Sequence, residues 1–117
     1  MTENPCTIAF DYTNTTGRFD YEDGGATIII ESGKTYALYP IVSYWDNSVE
    51  IPDYDCSGAV WTISPSSLGN FNGSASAVGA NVIFTAGTAG QRGKIKVAVG
   101  KMWYYEDFKI VESIKVE

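Results

Sequence analysis

The chain has 117 residues, of which 44% are hydrophobic and 14% aromatic, a composition that can bury a core and excludes a disordered tail. Its 14 acidic and 8 basic residues give a net charge of −6, which disfavours binding to nucleic acid or to an anionic membrane surface. No apolar run approaches the ~20 residues of a membrane-spanning helix, so membrane insertion is not expected. The sequence contains no histidine, which excludes Ser-His-Asp and Cys-His catalysis.

Short β-rich runs alternate with turn residues along the whole chain, and no segment has a sustained helical period, a pattern typical of all-β proteins. We expect loops at residues 13–25 and 64–80, and a bulge or a sheet edge at Pro40, because proline cannot donate a hydrogen bond to a strand pair. The predicted strands are residues 7–12, 26–31, 35–44, 59–63, 81–86, 94–99 and 105–111.

The run at residues 94–99 alternates cleanly, with Ile95, Val97 and Val99 on one face and more polar residues on the other. Such half-buried antiparallel strands pack as two sheets face to face, and Trp61 is the expected centre of the interior. The predicted core consists of Leu38, Val42, Trp61, Phe84, Ile95, Val97, Val99, Phe108 and Ile110. The predicted fold is a β-sandwich of two antiparallel sheets with about 7–9 strands.

Several segments in this order resemble bacterial immunoglobulin-like domains, found in invasins, intimins and multimodular secreted enzymes. They are Gly33-Lys34-Thr35-Tyr36-Ala37-Leu38-Tyr39-Pro40-Ile41-Val42, Val60-Trp61-Thr62-Ile63-Ser64, Gly69-Asn70-Phe71, Val82-Ile83-Phe84-Thr85-Ala86-Gly87 and the strand that follows Gly90. The resemblance covers residues 33–112, about two-thirds of the chain. It implies an immunoglobulin-like sandwich, which we expect to span residues 1–112, and a tail or linker to a following domain at 113–117. It also implies an extracellular or cell-surface location and a non-catalytic spacer or adhesion role beside neighbouring domains of the same polypeptide.

The aromatic residues outside this pattern are the best candidates for ligand binding: Tyr44, Trp45, Trp103, Tyr104 and Tyr105. Neighbours in a strand point to opposite faces, so the run Met102-Trp103-Tyr104-Tyr105 cannot lie entirely in the core. One interpretation is that these rings cover an open end of the sandwich or pack on the N-terminal loop. The other is that they bind a partner, either a host surface protein or, in a carbohydrate-binding module of a polysaccharide-degrading enzyme or scaffold, a polysaccharide. A decoration domain of a phage particle is a weaker third hypothesis.

Cys6 and Cys56 lie 50 residues apart, which fits no zinc or redox motif. They form either a disulfide, in an oxidising compartment, or remain two thiols.

The acids Asp20, Glu22, Asp23, Asp53 and Asp55 fall in predicted polar loops. Exposed loops in a small chain offer no deep cleft that would raise one carboxyl pKa for acid–base chemistry, so we do not expect an enzyme. Solvated loop charge is the simpler reading of these acids, and a structural calcium ion is the alternative; no other cofactor is expected.

Overall fold

Strands make up most of the chain in the computed structural model, which describes residues 6–44 and 49–114. Within these residues there are ten strands and two single-turn 3-10 helices, at Asp23–Gly25 and Ser66–Leu68. The strands are β1 (Cys6–Asn14), β2 (Phe19–Glu22), β3 (Thr27–Glu31), β4 (Thr35–Tyr44), β5 (Val60–Ser64), β6 (Gly69–Asn70), β7 (Ser76–Val78), β8 (Val82–Ala86), β9 (Arg92–Val99) and β10 (Met102–Val111).

The strands form two sheets, one in the order β1-β4-β8-β6 and the other in the order β2-β3-β10-β9-β5-β7. The predicted all-β sandwich is confirmed, with ten strands in the described residues where about 7–9 were predicted. The first order and the β10-β9-β5 part of the second are those of an immunoglobulin constant-type sandwich. One pairing departs from the prediction of purely antiparallel sheets, because β3 and β10 run parallel, from Asp107 opposite Thr27 to Val111 opposite Glu31.

The core lies between the two sheets, and every one of the nine predicted core residues is buried. Trp61 is fully buried and packs edge-on against Phe10, with 5.4 Å between ring centroids. Its indole Nε1 donates a hydrogen bond of 2.8 Å to the carbonyl oxygen of Gly79, so the one polar atom of the ring is satisfied. The prediction that Trp61 lies at the centre of the sandwich is therefore confirmed.

The prediction that residues 13–25 form only a loop is wrong, because β2 lies inside this segment. Phe19 packs edge-on against Tyr12 at 4.7 Å, and β2 pairs antiparallel with β3. The short strands β6 and β7 likewise lie in the predicted loop at residues 64–80. Such short strands have little sequence signal of their own and form because a longer neighbour offers its edge.

Pro40 lies inside β4, as predicted. The ladder between β4 and β8 covers Thr35 to Leu38, so Pro40 comes after the point where β4 has left β8. On its other side Pro40 is opposite Phe10 of β1. At Pro40, β4 is therefore paired on one side only and forms a local sheet edge, where a residue without an N–H is tolerated. A sheet edge was one of the two predicted arrangements at Pro40.

A buried carboxylate ties several segments together at one end of the sandwich. Glu31 accepts hydrogen bonds from the backbone N–H groups of Arg18 (2.7 Å) and Ile114 (2.8 Å), one on each oxygen. The Tyr36 hydroxyl donates to the Arg18 carbonyl and accepts from the Glu31 N–H at 2.9 Å. We call these four residues, Arg18, Glu31, Tyr36 and Ile114, the Glu31 clasp.

The hydrogen bonds from Ile114 and Arg18 lower the pKa of the Glu31 carboxyl, with Ile114 contributing most, whereas burial raises the pKa of Tyr36 to about 12. Gly17 lies against the clasp, where a Cβ atom would come within 2.5 Å of the Tyr36 hydroxyl oxygen. Residues 113–117 were predicted to be a tail or linker. The chain is still attached to the sandwich at Ile114, and residues 115–117 lie outside the described part.

The chain enters and leaves the sandwich at opposite ends. Cys6 at the start of β1 is paired with Tyr44 at the end of β4. Val111 at the end of β10 accepts a hydrogen bond of 2.8 Å from the Ser32 N–H, in the turn that leads into the start of β4. Since β4 has ten residues, the two points are separated by roughly 30 Å along the strands.

Candidate functional site

The outer face of β10 presents two large aromatic side chains to solvent. Trp103 is 59% exposed and Tyr105 is 42% exposed, while Tyr104 between them points toward the other sheet. Residues 102–104 were predicted to lie between two strands, and this is wrong, because β10 begins at Met102. The strand pleat therefore separates the aromatic run, with Trp103 and Tyr105 on one surface and Tyr104 on the opposite one.

Tyr104 is part of the interior packing. Its ring lies edge-on to Phe10 at 5.7 Å, and its hydroxyl donates a hydrogen bond of 2.6 Å to Oε2 of Glu106. Burial is the main reason that the pKa of Tyr104 is raised, followed by the hydrogen bond to Glu106 and its charge. Tyr104 is thus not brought together with the exposed pair.

Two lysine side chains of β9 lie against the exposed rings. The pairing of β9 with β10 sets Lys96 opposite Tyr105 and Lys94 opposite Asp107. The Lys96 Nζ lies 5.1 Å from the Trp103 ring centroid, and the Lys94 Nζ lies 4.5 Å from that of Tyr105. The two rings are nearly parallel, with 8° between their planes and 6.3 Å between centroids. We call Lys94, Lys96, Trp103 and Tyr105 the aromatic–lysine face.

The two lysines differ in their charge partners. Lys94 forms a salt bridge of 2.7 Å with Asp107, and this hydrogen bond raises the pKa of the Lys94 amine. Across the described ranges, 6–44 and 49–114, no salt bridge involves Lys96. Its ammonium lies over the Trp103 indole in a cation–π interaction and has no carboxylate partner among the described residues.

The charge around this face is opposite in sign to that of the rest of the protein. Residues 92–109 carry five basic and two acidic residues, whereas the remaining 99 residues carry three basic and twelve acidic ones. The β9–β10 hairpin is therefore a local cationic region on an acidic molecule. Arg92 and Lys109 of this hairpin are paired with Glu22 of β2, and Lys94 is paired with Asp107. Among the described residues, Lys96 and Lys101 therefore carry the unpaired positive charge of the hairpin.

A shallow depression of about 200 Å³ adjoins the face. Its lining includes all four members of the aromatic–lysine face together with Thr62 and Ser64, which are exposed residues of the adjacent strand β5. Farther along the same sheet, exposed Val60 pairs across to exposed Val78 of β7. Aromatic rings, ammonium groups and hydroxyl-bearing residues thus line one depression.

The other predicted binding residues lie elsewhere. Tyr44 is 38% exposed and ends β4, in the four-stranded sheet, so the structure does not place it on the aromatic–lysine face. Trp45 lies outside the described residues. Sequence reasoning did not select Lys94 and Lys96 as site residues. The sequence does contain a signal for them, the turn at Gly100–Lys101. A two-residue turn there pairs Val99 with Met102, and this register puts Lys96 beside the exposed rings.

Cys6 and Cys56 are both half-buried and pack against the core. Burial is the main cause of the raised pKa of the Cys56 thiol, and the charge of Asp55 adds to it. A high thiol pKa disfavours a reactive thiolate. Their pairing in a disulfide stays a prediction.

The acids were all predicted in loops, which is wrong for Asp20 and Glu22, because both lie in β2. Glu22 forms salt bridges with Arg92 (3.2 Å) and Lys109 (3.4 Å), and Asp55 accepts hydrogen bonds from the backbone and hydroxyl of Ser57. In the described part of the chain, no three acidic or cysteine residues come together in a group that would hold a metal ion. The same part of the chain has no helix of the length and apolarity needed to cross a bilayer.

A second depression, of about 400 Å³, lies where the two sheets part at the edge near β7 and β8. Its lining is mainly apolar, and none of its residues is acidic, basic or a cysteine: Phe71, Asn72, Ala77, Val82, Ile83 and Thr85. It therefore lacks the groups that acid–base or nucleophilic catalysis uses.

No family model, curated protein or solved structure matches this chain. The strand pairings and the buried core define the fold.

Proposed function

We propose that this chain is a non-catalytic module of an extracellular or cell-surface protein, of the bacterial immunoglobulin-like kind, that acts as a spacer and adhesion domain. The observation that carries the proposal is the path of the chain, which enters beside the end of β4 and leaves beside its start. Because the entry and exit points lie at opposite ends, consecutive copies of such a module can extend a chain by about the length of the longest strands for each copy.

The distribution of titratable groups supports a non-catalytic role. Tyr12 and Tyr104, whose pKa values are raised most, pack against the core and owe the shift chiefly to burial. Lys94, which lines the shallow depression, owes its raised pKa first to its hydrogen bond with Asp107. Catalytic groups with shifted pKa values instead line a cleft that a substrate enters.

The spacer role is tested with three copies joined head to tail through residues 112–117 and measured by small-angle X-ray scattering. We expect the maximum dimension to grow by at least about 30 Å for each added copy, the length of the longest strands. A second set of three copies, joined by long Gly-Ser linkers, serves as the control for flexible connection. A maximum dimension of three native copies no larger than that of a compact cluster would contradict the spacer role.

A carbohydrate-binding module is the second candidate, and the exposed parallel pair of Trp103 and Tyr105 favours it. Aromatic rings on an open sheet face offer apolar surface on which a sugar ring can stack, without the need for a deep pocket. Affinity electrophoresis in gels that contain soluble polysaccharides tests this candidate. We expect retardation that Trp103→Ala abolishes and Tyr54→Ala preserves, because Tyr54 is similarly exposed but lies in the loop before β5. The absence of retardation on a broad polysaccharide panel would leave only the spacer and adhesion role.

A further inference from the structure

We propose that the aromatic–lysine face binds an acidic polysaccharide, a chain of sugars that carry carboxylate groups. This inference rests on the carbohydrate-binding candidate and adds to it the charge of the ligand and the residues that read this charge.

Lysine ammonium groups lie over both exposed rings, which favours a charged sugar over a neutral one. Each exposed ring already has an ammonium group over one of its faces, at 5.1 Å for Trp103 and 4.5 Å for Tyr105. A neutral sugar that stacked on those faces would displace the ammonium groups and gain nothing from them. A sugar that carries a carboxylate can stack on the ring surface that the ammonium groups leave open, while its charge is bound by a lysine that stays in place.

The positive charge of Lys96 is complementary to a carboxylate ligand. Lys96 has no salt bridge among the residues that the structure describes, and the surrounding hairpin is cationic. The remainder of the chain is strongly acidic and opposes any polyanion at long range, so binding must come from short-range contacts at this face. This requirement favours a polymer whose sugar rings contribute apolar and hydroxyl contacts over one that is recognised by charge alone.

Residues with hydroxyl groups lie beside the lysines and favour a sugar ligand. Thr62 and Ser64 line the same depression as Lys94 and Lys96, so hydrogen-bonding groups for sugar hydroxyls stand next to the cations. The two lysine–ring units are two residues apart along each of the neighbouring strands, which gives a short row of similar contacts. A repeating polymer fits such a row better than a single small anion does.

Affinity electrophoresis and biolayer interferometry test the inference. They measure binding of the whole chain to polygalacturonate, neutral galactan and polyglutamate at physiological ionic strength. We expect binding to polygalacturonate alone, weakened about tenfold or more by Trp103→Ala. Lys96→Gln is expected to weaken it about two- to fivefold, and binding should fall as salt is raised. The matched control is Lys101→Gln, which removes the same charge at the β9–β10 turn and is expected to change binding less than about twofold. Melting curves of each variant establish that it is folded.

The contrary outcomes are distinct. Binding to galactan that depends on Trp103 but not on Lys96 would overturn the acidic ligand and leave carbohydrate binding in place. Equal binding to polyglutamate would overturn the sugar assignment and point to an acidic polypeptide partner. Binding to none of the three polymers would overturn this inference, while the scattering experiment on joined copies would still decide the spacer role separately.

Discussion

Two tryptophans in neighbouring parts of one sheet have opposite surroundings. Trp61 on β5 is fully buried, satisfies its N–H on Gly79 and meets Phe10 edge-on. Trp103 on β10 is 59% exposed and is covered on one face by the ammonium group of Lys96. The same side chain thus serves stability at one position and is available for recognition at the other, and the direction of the strand pleat decides which.

The largest expected effect comes from removing the buried indole. Trp61→Ala leaves a cavity between the sheets and an unpaired carbonyl on Gly79, and we expect it to lower the free energy of unfolding by roughly 3–5 kcal/mol. Chemical denaturation with far-UV circular dichroism measures this loss. A midpoint unchanged from the wild type would show that Trp61 does not centre the core.

The next largest effect is expected at the Glu31 clasp. Both carboxylate oxygens of Glu31 accept backbone N–H groups, and Glu31→Gln replaces one acceptor with a donor. We expect a loss of roughly 1–3 kcal/mol near neutral pH.

The pH dependence of that loss has a definite sign. The pKa of Glu31 is lowered from its ordinary value of 4.5 in the folded state, so its stabilisation is complete above pH 4.5 and decreases as the pH falls below it. Melting temperatures of wild type and Glu31→Gln between neutral and acid pH should therefore converge at low pH. A difference that stays constant with pH would contradict the role of the charge.

A smaller effect is expected at Tyr104, the inward neighbour of Trp103. Tyr104→Phe keeps the edge-on contact with Phe10 but removes the hydrogen bond to Glu106, at a cost of about 1 kcal/mol. Equilibrium unfolding measures this loss, and sugar binding should be unchanged, because the hydroxyl points away from the aromatic–lysine face. Loss of binding with unchanged stability would reverse our assignment of the two faces of β10.

The smallest effect on stability is expected for Trp103→Ala. The exposed ring contributes little to the core, so the change in unfolding free energy should stay within about 0.5 kcal/mol. Paired unfolding curves of Trp103→Ala and Trp61→Ala make the comparison directly. A loss at Trp103 similar to that at Trp61 would mean that the exposed indole is structural.

The regular strands could be predicted from the sequence because their alternation is strong. The run from Lys94 to Val99 and the segment around Trp61 both appear where their patterns predicted them. By contrast, β2 could not be predicted, because Phe19 and Tyr21 are its only strand-favouring residues and they lie in a polar segment. This strand forms through its pairing with β3. The parallel pairing of β3 with β10 is a long-range choice that no local pattern encodes.

The candidate site was half predictable. Trp103 and Tyr105 were selected as ligand-binding residues, and alternation along the strand explains why they share a face without Tyr104. The alternation predicted that Lys94 and Lys96 lie on the outer face of their strand. It could not predict their contact with the rings, because this contact depends on the register between β9 and β10. The register in turn depends on the two-residue turn at Gly100–Lys101, where Gly100 has φ of 58°, a backbone conformation that glycine adopts readily.

The most direct test of a binding surface on this sheet is a ¹⁵N-¹H NMR titration of the whole chain with oligogalacturonate. We predict that the amide shifts which move with ligand concentration cluster on β5, β9 and β10, and that Lys96→Gln weakens the response. Shifts confined to the apolar depression near Phe71, or to the end of the sandwich near Tyr44, would contradict the account.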